Sequence, residues 1–247
     1  MALTLGARLR KMGESGRIVR RVLDELRSFA EPGVTTRQMD ELARALISSE
    51  GGTPSFLGYR GYPAAVCVSL NNEVVHGIPG DRALRKGDLV SVDVGVFKDG
   101  FHGDAADSFF AGEPPDGEAR MLVEVTYEGR RRAIAAARAG NRLGDVGSAV
   151  QEYVESHGFS VVRDLVGHGI GRKLHEPPQV PNFGLPGRGA RLVEGMALAI
   201  EPMVNAGVAE VRLLSDGWTV VTADGLLSAH AEHTVMVTDG EPMVLTQ

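Results

Sequence analysis

Apolar residues in the first fifty positions recur at helical spacing. Ile18, Val22, Leu26 and Phe29 step by three and four through Leu9–Phe29, and Met39, Leu42, Leu46 and Ile47 do the same up to about Ser49. Pro32-Gly33 divides these two predicted helices. Thr35 to Gln38 matches a capping box ahead of the second, and Gly51-Gly52 closes it. From Phe56 the pattern changes: Gly, Tyr and Pro punctuate a β-like run, Ala65–Leu70, and extended chain continues to Val74-Val75-His76-Gly77-Ile78-Pro79. After a loop expected at Pro114-Pro115, helical spacing returns in Glu118–Ala139 and Val146–His157. The remainder reads as strands at Val161–Val166, Met196–Val204, Trp218–Thr222 and His233–Val237.

Between these regions lies Val92 to Ser108, two short apolar runs flanking Asp99-Gly100, the signature of a tight hairpin. A two-residue turn there pairs Lys98 with Phe101, Gly95 with Asp104 and Asp93 with Ala106. Asp93 and Asp104 then share a face as diagonal neighbours, with backbones roughly 7–8 Å apart. The pair is either a solvated face or the beginning of a cation site, because close carboxylates in apolar surroundings otherwise force one to hold a proton.

The two halves of the chain resemble each other. Leu84–Asp93 aligns without gaps on Leu192–Glu201, so Asp93 answers to Glu201. Gly33–Gly51 matches Gly140–Gly158, Val75–Ile78 echoes Gly167–Ile170, and His102-Gly103-Asp104 resembles His230-Ala231-Glu232. A duplicated αβ unit folded back to back about a pseudo-two-fold axis would gather Asp93, Asp104, Glu201 and Glu232 with His168. Each also has a plain structural reading: Glu201 ends a strand before Pro202, Glu232 could pair with a base, and His168 could be a hydrogen-bonded core histidine. Four carboxylates balance two divalent cations. Oxygen-rich ligands with one imidazole and no thiolate suit Mn, Fe or Co, and affinity order also admits Zn. Two such ions generate hydroxide and polarise a carbonyl, which implies amide or ester hydrolysis. His76 and His175 stand beside glycine or proline turns, where they either donate to a carbonyl or oxyanion or simply support loops.

Composition narrows the partners. With 247 residues and 43% hydrophobic content the chain can bury a large core, as one big domain or two small ones. A net charge of -6 and a pI near 5.7 argue against nucleic acid as the main partner. Cys67, the single cysteine, rules out an internal disulfide framework and fits a reducing compartment. No eighteen-residue apolar run occurs, so no membrane span is expected and a cytoplasmic protein is. Other chemistries drop out: His175-Glu176-Pro177-Pro178 is not a helical H-E-x-x-H, and no G-x-S-x-G elbow or phosphate loop is present. Cys67 has no adjacent base and reads as a buried thiol or pocket wall.

At 61–79, 92–104, 167–178, 200–203, 216–220 and 231–234 the chain closely resembles the type I methionine aminopeptidases of peptidase family M24, in their short bacterial form. The resemblance implies an α/β (α+β) pita-bread fold, with duplicated halves around a central antiparallel sheet, in a single catalytic domain over 1–247. It implies metal-dependent removal of the initiator methionine from nascent proteins whose second residue is small, by a metal-bridging hydroxide. Asp93, Asp104, His168, Glu201 and Glu232 would ligate two divalent ions (Mn, Fe, Co or Zn), with Asp104 and Glu232 bridging and Glu201 also shuttling a proton. His76 and His175 would contact the scissile amide and the transition state, and Tyr59, Tyr62, Cys67, Leu174 and Trp218 would form the slot for the methionine side chain. Phe56 and Leu174 depart from the commoner bacterial pattern of a cysteine and an aromatic residue. Implied partners are N-terminal Met peptides, with docking on the ribosome an open point and a monomer expected. Two competing readings share the fold: an Xaa-Pro aminopeptidase or prolidase, and a non-catalytic binding module.

Overall fold

The computed structural model describes residues 4–113, 115 and 117–247; Pro114, part of the expected Pro114-Pro115 loop, lies outside them. The first half runs α1 (Leu5–Phe29), α2 (Thr36–Ser49), β1 (Thr53–Pro54), β2 (Val66–Leu70), β3 (Glu73–Val75), β4 (Leu89–Lys98) and β5 (Phe101–Phe110). The second begins with α3 (Glu118–Ala136), α4 (Leu143–Ser156), β6 (Ser160–Val161), β7 (Gly167–Gly169), β8 (Glu176–Val180), β9 (Ala197–Ile200) and β10 (Met203–Asn205). It ends with β11 (Val211–Leu213), β12 (Val220–Thr222), β13 (Ser228–His230), β14 (His233–Met236) and β15 (Met243–Val244).

The strands described pair antiparallel, as expected, in four hydrogen-bonded ladders. Helix α1 starts a turn earlier than its apolar pattern predicts, because the Thr4 hydroxyl accepts from the Ala7 N–H and caps it. Helix α2 has the expected box: Gln38 N–H donates to Thr35 Oγ1 at 3.2 Å, and Thr35 N–H donates to Gln38 Oε1 at 2.8 Å.

Duplication is visible in the hydrogen bonds. Helices α2 and α4 are both 14 residues long. Gly33 N–H donates to Leu84 O at 2.8 Å, and its counterpart Gly140 N–H donates to Leu192 O at 3.0 Å. Bridges Thr35↔Ala83 and Arg142↔Arg191 repeat the same frame. One sequence echo is corrected: β7 lies against β9 as β2 lies against β4, whereas β3, just before His76, pairs with β12. Val75–Ile78 and Gly167–Ile170 are therefore similar in sequence without being equivalent in the fold.

Each half buries its own helices on one face of its strands. Val22, Leu26 and Met39 pack with Val90, Val92 and Val94 of β4, while Leu122, Val146 and Val150 pack with Leu198 and Ile200 of β9. Each such side chain contributes about 1.5–3 kcal/mol when withdrawn from water. Strand side chains alternate, so Asp93, lying between Val92 and Val94, points away from the helices. The halves are stitched along β5. Glu232 N–H donates to Ala106 O at 2.8 Å, Asp104 N–H donates to Thr234 Oγ1 at 2.9 Å, and Ser108 Oγ donates to His230 O at 2.7 Å. The acidic faces of both halves thus meet on the side opposite the helices.

Candidate functional site

The β4–β5 hairpin has the register the sequence predicts: Lys98↔Phe101, Gly95↔Asp104 and Asp93↔Ala106. On the other half, Pro202 has no N–H to give a ladder. The strand expected over Met196–Val204 therefore breaks, with β9 ending at Ile200 and β10 resuming at Met203 in another sheet. Glu201 sits in that break. Glu232 occupies the short gap between β13 and β14, its backbone fixed on Ala106.

The carboxylates converge as a group lacking its counter-charge. Asp104, His168 and Glu232 are 3%, 8% and 2% exposed, and one ligating atom from each lies within 4.8 Å of the others. Asp93 Oδ1, Asp104 Oδ1 and Glu232 Oε1 are buried without any hydrogen-bond partner. Burial pushes the Asp93 carboxyl up to about 7. It raises Asp104, Glu201 and Glu232 well above the carboxylate range, with the neighbouring acids adding to the effect. His168 is arranged in the complementary sense. Its Nδ1 lies 2.9 Å from Gly169 O, which can only accept, and burial lowers its pKa. The proton is held on Nδ1 and the Nε2 lone pair faces Glu201 Oε1 at 3.5 Å. Three of the five, Asp104, His168 and Glu232, come together closely enough to share an ion, Asp93 and Glu201 line the same cavity, and this donor set, mostly oxygen with one nitrogen, fits a divalent metal.

Above this cluster lies a cavity of about 150 Å³ whose lining includes every predicted site residue: Tyr59, Tyr62, Cys67, His76, Asp93, Asp104, His168, Leu174, His175, Glu201, Trp218 and Glu232. Phe56 joins them, as does Arg60, which sequence reasoning missed. Its one local signal is the flanking Gly58 and Gly61, because an exposed arginine otherwise reads as solvated surface. Tyr62 donates to Val66 O at 3.2 Å and Gly77 O at 3.0 Å, which fixes its ring edge-on to Trp218 at 5.0 Å. Cys67 is buried and its thiol pKa is raised, first by burial and then by Asp93, so it is a wall and not a nucleophile.

The other two histidines are neutral near pH 7. Burial lowers the His76 pKa, and the ring stands edge-on to Trp218 at 6.2 Å on a residue with φ of 60°. A side chain seldom adopts that conformation unless the surrounding structure imposes it. The pKa of His175, exposed at the rim, is lowered by the partial withdrawal of its ring from water and then by His168. Its Nδ1 is 2.8 Å from the Tyr59 hydroxyl. With that hydroxyl donating, the ring proton sits on Nε2, free to donate into the pocket.

An acid cluster of this kind, at the junction of two duplicated αβ halves, defines a class of metal-dependent enzymes with carboxylate-held cations. A sequence profile for metallopeptidase family M24 matches residues 10–239. The chain belongs to that family. It is 52% identical over 235 residues to a methionine aminopeptidase of Clostridium perfringens, covering 95% of this chain and 94% of that one. It is 47% identical to methionine aminopeptidase 1 of Bacillus subtilis, covering 96% and 95%. The fold is the pita-bread fold: a crystal structure of methionine aminopeptidase from Thermotoga maritima superposes with a TM-score of 0.97 at 45% identity, covering 100% of this chain and 99% of that one. A prolidase from Pyrococcus furiosus shares the fold at a TM-score of 0.79 and 21% identity, with 98% of this chain but 64% of the prolidase covered.

Proposed function

We propose that this chain is a metal-dependent methionine aminopeptidase that removes the initiator methionine from nascent proteins whose second residue is small. One observation carries the reading: the buried, uncompensated cluster of Asp93, Asp104, His168, Glu201 and Glu232 at the floor of a cavity with one largely apolar wall. Those five residues would hold two divalent ions. Bound there, such ions lower the pKa of water and polarise the scissile carbonyl.

The chain's own groups do the rest. Tyr59, Tyr62, Cys67, Leu174 and Trp218 enclose an unbranched thioether side chain, for which sulfur–aromatic contacts with Tyr62 and Trp218 are favourable. His175 Nε2 donates to the carbonyl oxygen as negative charge develops on it, and Tyr59 holds that ring in the required tautomer. His76 contacts the scissile amide from the Trp218 side. Glu201 lies at the cavity floor beside the water's place of attack, where it would take the proton of that water and pass it to the leaving amine. The whole chain acts as one catalytic unit, a monomer in the cytoplasm, on peptides presented as they leave the ribosome. Among the described residues no helix is long and apolar enough to cross a membrane.

The test is methionine release from Met-Ala-Ser by protein loaded with Mn, Fe or Co. Turnover supports the proposal, and its absence with all three metals refutes it. Cleavage of Ala-Pro peptides in preference to Met-Ala would shift the assignment to the prolidase branch of the same fold.

A further inference from the structure

Of the residues lining the cavity, Arg60 and His175 are the exposed ones, while Phe56, Tyr62, Cys67 and Leu174 are buried. The mouth therefore opens beside Arg60 and His175, and a peptide seated with its first side chain in the apolar slot leaves past them. Arg60 occupies the 3-10 turn Tyr59–Gly61 with φ of 48°, a left-handed conformation on a residue with a Cβ. Its guanidinium rests 5.5 Å from the centre of the Tyr59 ring, the ring whose hydroxyl holds His175. Among the described residues no carboxylate pairs with it, and the residue is exposed at the entrance. The pocket behind it holds four acids in a chain of net charge -6. With the proposed cations offsetting those acids, Arg60 is a positive group that a downstream carboxylate meets at the entrance.

We propose that Arg60 is a specificity-determining residue that binds a carboxylate carried by the peptide downstream of the scissile bond. This deepens the aminopeptidase reading and rests on it. The same chemistry is offered by an acidic side chain beyond the second residue and by the C-terminal carboxylate of a short peptide. The contact is solvent-facing and made equally in ground and transition states. It acts on KM more than on kcat, by about two- to fivefold.

The experiment compares kcat/KM at low salt for Met-Ala-Glu-amide, Met-Ala-Lys-amide, Met-Ala-Ser-amide and Met-Ala-Ser with a free C-terminus. The metal-loaded protein is expected to prefer the Glu over the Lys peptide by about two- to fivefold, with the preference fading at about 1 M salt. Arg60→Gln should bring that ratio to near one and Arg60→Glu should invert it. The free-acid and amide forms of Met-Ala-Ser show whether a terminal carboxylate uses the same site. Equal kcat/KM for the Glu and Lys peptides, or a preference that survives in Arg60→Gln, overturns the proposal and leaves the aminopeptidase reading standing. Release of methionine from none of the four refutes that reading instead. Arg60 is then judged by binding alone, through quenching of Trp218, the sole tryptophan and a pocket residue. Tighter binding of the Glu peptide, lost in Arg60→Gln, supports the assignment, and equal affinities overturn it.

Discussion

Asp104 and Asp107 stand three residues apart on β5 and are almost equally sealed from solvent, at 3% and 4% exposure. Asp107 is matched. Arg20 from α1 reaches one oxygen at 2.8 Å and Arg130 from α3 reaches the other at 3.3 Å, so helices of both halves converge on it. Arg130 also donates to Glu232 O at 3.1 Å, which ties this ion network to the backbone of the acidic site. Asp104, on the opposite face, has an oxygen with no partner at all and neighbours of its own charge. The fold supplies arginines to a buried carboxylate where the role is structural. Among the described residues no arginine pairs with Asp93, Asp104, Glu201 or Glu232, and on the proposed reading a bound cation supplies the counter-charge.

The two aspartates should therefore fail in opposite ways. Asp104→Asn is expected to cut activity and metal affinity at least a hundredfold, beyond what outer partners of a metal site typically cost, while metal-free protein melts at the same or a higher temperature. Activity assays and thermal melts in chelator check both halves of that statement. Asp107→Ala should leave metal ligands intact but strand two arginines, one of them well buried, and cost about 3–5 kcal/mol in denaturant unfolding. A smaller effect is a difference in pH response between metal-free and metal-loaded protein. Without metal, the folded acids hold protons to higher pH than in the unfolded chain, Asp93 to about 7. The stabilising contribution of Asp93 is complete below the ordinary carboxylate range and is lost as pH rises through about 7. His230, kept neutral by burial down to about 3, works in the other direction: its contribution is present above its ordinary 6.5 and is lost as pH falls toward 3. Urea midpoints of chelated protein should fall between pH 6 and 8, and those of metal-loaded protein should not. The least severe change is Leu174→Phe, which narrows the slot and should raise KM for Met-Ala-Ser by several-fold with kcat nearly unchanged.

Much of this was legible from residue order because local rules dictated it. Asp99-Gly100 fixed the hairpin and hence the shared face of Asp93 and Asp104, and repeated glycine-framed helices exposed the duplication. Strand β8 was missed. Pro177 and Pro178 read as breakers, yet β8 is an edge strand of the five-stranded sheet, where missing N–H groups are tolerated. Around Pro202 the residue order supports two readings, one strand over Met196–Val204 or a strand ending at Glu201, and the structure has the break of the second. The neutralisation of Asp107 was also out of reach, because Arg20 and Arg130 come from helices far apart in the chain.

The most direct test of the cation account is calorimetric titration of metal-free protein with Mn²⁺ or Co²⁺ near pH 7.5, repeated in buffers of different ionisation enthalpy so that proton release is counted. Saturable uptake of two ions, with at least one proton released per protein and the release reduced in Asp104→Asn, is the predicted result. Uptake without proton release, or no saturable uptake, would contradict it.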